Sequence, residues 1–81
     1  MTTMTEAIIA IVADVLDMTP AELGPDSEGS NIAAWDSFGH VRIVLALEAE
    51  FGVALTMAEI ERSGSVPGLV AAIAAAQQRA A

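Results

Sequence analysis

Apolar residues recur along this chain at steps of three and four, the repeat of a helix that buries one face. Ile8, Val12, Val15 and Leu16, with Ile11 beside them, form one such stripe. Ile43, Leu47 and Phe51, with Val44 adjacent, form a second, and Val66, Leu69, Val70 and Ile73 a third. Groups that satisfy the unpaired N–H donors of a helix start stand ahead of these runs. Three Thr-x-x-Glu strings (Thr3 with Glu6, Thr19 with Glu22, Thr56 with Glu59) fit the reciprocal capping box. Asp36-Ser37 opens the second run and Gly52 closes it, while Ser65 opens the third with Pro67 in its first turn. No segment alternates with period two over the length of a strand. The pattern therefore predicts an all-α bundle of three long helices, over 5–16, 37–51 and 66–78, and a short one near 57–62. Between the first two long helices runs a connection, 17–35, broken by a single helical turn at 20–23. A connection that long is unusual in a small bundle and marks a surface strap or a functional loop.

The second helix holds more apolar residues than one buried stripe requires. Phe38, Val41 and Leu45, with Glu48 as a charged flank, make a second stripe turned away from Ile43 and Leu47. Two readings are open: helices packing on several sides bury both stripes, or the second stripe is exposed and binds partners.

Composition narrows the possibilities. With 81 residues the chain has length for one small domain, 1–81, whose ordered core is expected over about 5–76. Scaling predicts roughly 4,600 Å² exposed, too modest a body for a deep multi-element active site. Eleven acidic residues against three basic ones give a formal charge of −8, and there is no lysine. Such a chain repels nucleic-acid phosphates and anionic membrane surfaces and attracts partners with Arg/Lys patches. Cysteine is absent, which excludes disulfides, thiolate catalysis and Cys-type zinc sites, and the lone His40 excludes His-rich metal sites. Hydrophobic residues at 54% argue against disorder despite the charge. No apolar run is long enough to span a membrane and the amino terminus shows no basic n-region, so a cytoplasmic monomer is expected. Met1, Met4, Met18 and Met57 read as terminus or core filler, and Asp14 and Asp17 as an exposed pair.

Ser37 is the residue whose chemistry needs weighing. Either Asp36 or Ser37 can cap the second helix; in the first case Ser37 keeps a free hydroxyl at the first helical position. The pattern argues against a hydrolytic nucleophile. His40 lies three residues on, but Trp35 stands where a nucleophile elbow needs glycine, and neither the strand nor a second histidine is present. A covalent attachment point fits better, because a phosphodiester at a helix N-terminus meets unpaired amides and the positive end of the dipole.

These residues bring a family into view. Asp36-Ser37-Phe38, then Val41, then Ala46-Leu47-Glu48-Ala49-Glu50-Phe51-Gly52-Val53, resembles the acyl carrier proteins, as do the helix order and the final helix opening Ser65-Val66. The resemblance runs over about 5–76. It implies an acyl-carrier-like fold and a non-catalytic carrier. Its serine, here Ser37, is esterified with 4′-phosphopantetheine taken from coenzyme A by a phosphopantetheinyl transferase. The arm's thiol then carries acyl groups as thioesters, which accounts for a chain without cysteine. The resemblance also implies that Asp36, Phe38, Val41, Arg42, Leu45 and Glu48 lie on a face that docks against basic patches of acyltransferase, ketosynthase or ligase partners.

The departures from the family pattern point to its use. Phe38 replaces the usual leucine, Gly39 takes an often acidic position at a cost in helix propensity, and Arg42 reverses the charge of a common docking glutamate. Ala34-Trp35-Asp36 lacks the glycines usual in peptidyl carriers, and Trp35 either marks a stand-alone specialised carrier or anchors the loop end to the core. The expectation is a free-standing carrier of a polyketide or other secondary-metabolite pathway. The alternatives are a primary fatty-acid carrier and an unmodified helical adaptor.

Overall fold

A computed structural model describes residues 2–80. Thr3 opens the first helix, α1 (Met4–Leu16), through a complete capping box: its hydroxyl accepts from the Glu6 N–H at 3.1 Å, and Glu6 accepts from the Thr3 N–H at 3.1 Å. α2 (Ser37–Phe51) is capped by Asp36 and ends at Gly52, which adopts the left-handed conformation that glycine tolerates. α3 (Met57–Arg62) begins with the Thr56–Glu59 capping box, and α4 (Val66–Ala80) completes the chain. Ser65 accepts from the Gly68 N–H at 3.0 Å, so Val66 and Pro67 occupy the first turn as expected. Near Thr19 the Glu22 carboxylate accepts from the Thr19 N–H at 2.7 Å, and a 3-10 turn follows over Pro20–Glu22.

The core lies where the three long helices meet. Ile8 and Val12 of α1, Ile43 and Leu47 of α2, and Val66, Leu69 and Ile73 of α4 have no solvent exposure. Full burial of such side chains contributes about 1.5–3 kcal/mol each, offset by the entropy of ordering them. α1 packs on both α2 and α4. α3 buries no residue completely, and Ile60 packs against the core from its edge. The folded chain exposes 4810 Å², close to the area expected for its length.

Several expectations are corrected. α1 begins one residue earlier and α4 runs two residues further than the pattern suggested. Ala13, Ala72 and Ala76 join the core, while Ile11, Val15, Phe51 and Val70 pack against it only partly buried. Met4 and Met18 pack against the core, but Met57 is 72% exposed at the outer start of α3. Met1 lies outside the described residues. α1 ends on a non-glycine residue in the left-handed region, Asp17 at φ 58°, a conformation that Asp tolerates better than most side chains.

The long first connection is a fixed strap. A second 3-10 turn, Gly29–Asn31, which periodicity did not announce, sits beside the turn between α3 and α4. The Gly29 N–H donates to the Gly64 carbonyl and the Val66 N–H to the Ser27 carbonyl, both at 2.8 Å, across an antiparallel Glu28–Ser65 bridge. Gly29 is required there: a Cβ would lie 2.9 Å from both the Gly64 oxygen and the Trp35 ring. Leu23 and Trp35 from this connection are buried in the core.

Candidate functional site

The start of α2 is held from three sides. Asp36 Oδ1 accepts from the Gly39 N–H at 2.8 Å, which makes Asp36 the cap and resolves the ambiguity left by the sequence. Ser37 therefore occupies the first helical position, exposed, with no hydrogen bond from its hydroxyl to another described residue. Gly39 explains itself by distance: a Cβ would sit 2.7 Å from the Ala34 carbonyl oxygen and 3.1 Å from a Leu16 methyl carbon. The helix gives up propensity so that the loop end can cross close above it.

Beneath Ser37 lies a clasp that sequence reasoning saw only in part. Trp35 Nε1–H donates to His40 Nδ1 at 3.0 Å, and His40 Nε2–H donates to the Ile60 carbonyl at 2.9 Å. An indole can only donate and a carbonyl can only accept, so the ring proton of His40 resides on Nε2. The two ring planes lie within 21° of each other. Ser63, buried at the end of α3, donates to the same Ile60 carbonyl at 3.0 Å. The clasp ties the end of the strap to α2 and the end of α3. With both ring nitrogens engaged, His40 has no lone pair for Ser37, and the Ser–His pairing considered above has no geometric basis.

Ser37, Asp36, Trp35 and His40, with Gly29, Ser30 and Gly64, line an open recess of about 330 Å³. A second recess of about 250 Å³ lies between α3 and α4, lined by Glu59, Arg62, Gly68, Ala71, Ala72 and Ala75, away from Ser37.

The second stripe of α2 is exposed: Phe38 at 76%, Val41 at 52% and Leu45 at 60%. Its charged neighbours are less free than the sequence suggested. Glu48 is half-buried and accepts from the Leu55 N–H at 2.8 Å, so it closes the turn after α2 rather than flanking the stripe as a loose charge. Arg42 donates to the Val15 carbonyl at 3.0 Å and so caps the C-terminal end of α1. Among the described residues no cluster of three or more His, Asp or Glu side chains has the geometry to hold a metal ion, and no helix is long and apolar enough to cross a membrane. Asp14 and Asp17 are exposed, as expected.

Four helices in this order, with a strapped first loop and an exposed serine opening the second, define the class of small helical carrier domains. The comparisons narrow the class. Residues 6–73 match the family model described as "Phosphopantetheine attachment site". An acyl carrier protein of Thermosynechococcus vestitus is 36% identical over 61 residues, which cover 75% of each chain. The solution structure of a holo acyl carrier protein from Geobacter metallireducens superposes with a TM-score of 0.80, covering 94% of this chain and 87% of that one at 22% identity. The chain belongs to the acyl carrier protein family, whose prosthetic group is 4′-phosphopantetheine.

The residues present fit that group. A free hydroxyl stands at the positive end of a helix, and the recess beside it is open. Ser37 would hold the phosphodiester, and the bound group would supply the thiol that the chain lacks.

Proposed function

We propose that Ser37 carries the 4′-phosphopantetheine arm and that the chain is a stand-alone carrier of acyl intermediates in a polyketide or other specialised pathway. One observation carries the attachment: Asp36 takes the cap, leaving the Ser37 hydroxyl exposed and unbonded at the first position of α2. A phosphopantetheinyl transferase would join Ser37 Oγ to the phosphorus bearing the pantetheine of coenzyme A. That phosphorus–oxygen bond to the second phosphate breaks, adenosine 3′,5′-bisphosphate leaves, and the hydroxyl proton passes to a base of the transferase. The pathway reading rests on α2, where Phe38, Val41 and Leu45 form an apolar face that bears Arg42 in place of a carboxylate. Partner acyltransferases, ketosynthases or ligases would meet this face first through its apolar residues. The chain's charge of −8 favours those with basic surroundings.

Incubation of the apo protein with coenzyme A and a broad-specificity transferase, followed by intact-mass measurement, tests the attachment. The expected result is a gain of one phosphopantetheine that Ser37→Ala abolishes. No gain with any transferase would leave the unmodified adaptor as the reading. Transfer of malonyl groups by the transacylase of a fatty-acid synthase as fast as to its own carrier would favour the primary pathway instead.

A further inference from the structure

The recess beside Ser37 has walls of a particular kind. Its aromatic floor, Trp35 and His40, offers no unpaired ring N–H or lone pair, because the clasp to Ile60 consumes all three ring nitrogens. Two glycines, Gly29 and Gly64, supply backbone walls and are fixed to each other by a 2.8 Å hydrogen bond. The remaining lining is polar and at the rim: the Ser30 hydroxyl, the Asp36 carboxylate and Ser37 itself. No aliphatic side chain of the core lines the recess, so it does not open into the bundle.

We propose that this recess is the resting place of the neutral, amide-bearing part of the arm. The proposal rests on the attachment at Ser37 and adds where the arm goes when no partner holds it. Three features favour that occupant. The attachment atom belongs to the recess wall, so an arm fixed there reaches it without crossing a helix. The phosphodiester would be fixed at Ser37 by its covalent bond, and the Asp36 carboxylate in the recess wall disfavours an anion inside it, so the space suits the uncharged segment of the arm. An amide chain with methyl branches matches a lining of peptide planes, one hydroxyl and aromatic rings whose nitrogens are already hydrogen-bonded: it makes van der Waals contact with them, and the open mouth leaves its amides in reach of water. The volume, about 330 Å³, lies at the lower end for small-molecule sites, and the open mouth makes the contact weak and reversible. An arm resting there lies away from Phe38, Val41 and Leu45 and leaves that face clear for a partner.

The chain contains no cysteine, so the arm's thiol is the single thiol of the modified protein and takes a nitroxide label there alone. Paramagnetic broadening of the backbone amides then locates it. The amides of Gly29, Ser30 and Gly64 should be broadened at least twofold more than those of Val41 and Leu45. Even broadening on both sides, or a stronger effect along α2, overturns the proposal. Gly64→Val adds bulk to the wall at a position where a Cβ meets no protein atom, and should equalise the two sides. Ser30→Leu, at an exposed position, should do the same if the first variant does not fold. A bias that survives in the folded variant counts against the recess. Absence of the mass gain before labelling overturns the attachment itself, and with it the resting place.

Discussion

At Gly39 two residue-scale effects oppose each other and their magnitudes decide. Alanine would recover about 0.5–1 kcal/mol of helix propensity. Its Cβ, however, would stand 2.7 Å from a backbone carbonyl that has no rotamer with which to yield. Forced contacts of this kind cost about 1–3 kcal/mol, so Gly39→Ala should lower the urea midpoint. A raised midpoint would show that the strap moves aside at little cost. Trp35 presents a related case. Trp35→Phe keeps the ring in the core but strips the donor from His40 Nδ1, and a partly buried acceptor left alone costs about 1–3 kcal/mol. Thermal unfolding of Trp35→Phe beside the parent checks this. Neither contact was legible in the sequence. Trp35, Gly39 and His40 each stood out by type, but the cap between them turns the chain, and helical periodicity does not extend across a cap.

Among the elements, α2 serves two surfaces at once. Ile43, Val44 and Leu47 face the core, while Phe38, Val41 and Leu45 face solvent. Leu45→Asp should therefore leave stability within about 0.5 kcal/mol, as for most surface changes, while slowing acyl transfer to a cognate partner. Equal rates in parent and variant would remove this face from docking. Arg42 behaves differently from the surface charge that the sequence suggested. Its bond to Val15 places a cation at the end of α1, so Arg42→Gln should cost about 0.3–1 kcal/mol even with no partner present. Unchanged thermal unfolding would show that this bond contributes nothing. The helices themselves were legible because caps and stripes are local: Thr3, Asp36, Gly52, Thr56 and Ser65 mark ends that the structure reproduces within one or two residues. The strap was not legible. Its hydrogen bonds join Ser27 and Gly29 to Val66 and Gly64, and no short-range pattern encodes a pairing over that separation.

Over the whole molecule, charge sets the response to pH and salt. Arg79 donates to both carboxylate oxygens of Glu59, at 2.6 and 2.8 Å, and this pairing with the Thr56 N–H holds the Glu59 pKa at about 2, below its ordinary 4.5. Because the folded value is the lower one, the contribution is complete above about pH 4.5 and disappears as pH falls towards 2. Glu59→Gln should remove that part of the acid-limb slope, read as unfolding midpoints measured between these two values; identical slopes would exclude the pair as a source. The strap has a further consequence, on the time axis. The amides of Gly29 and Val66 close the same two-loop stitch, so one opening event exposes both. Their hydrogen exchange should be slow and matched, at a rate nearer that of α4 than of an ordinary loop. On the attachment proposed at Ser37, the arm would be presented from a frame that loosens only when both hydrogen bonds of that stitch open together.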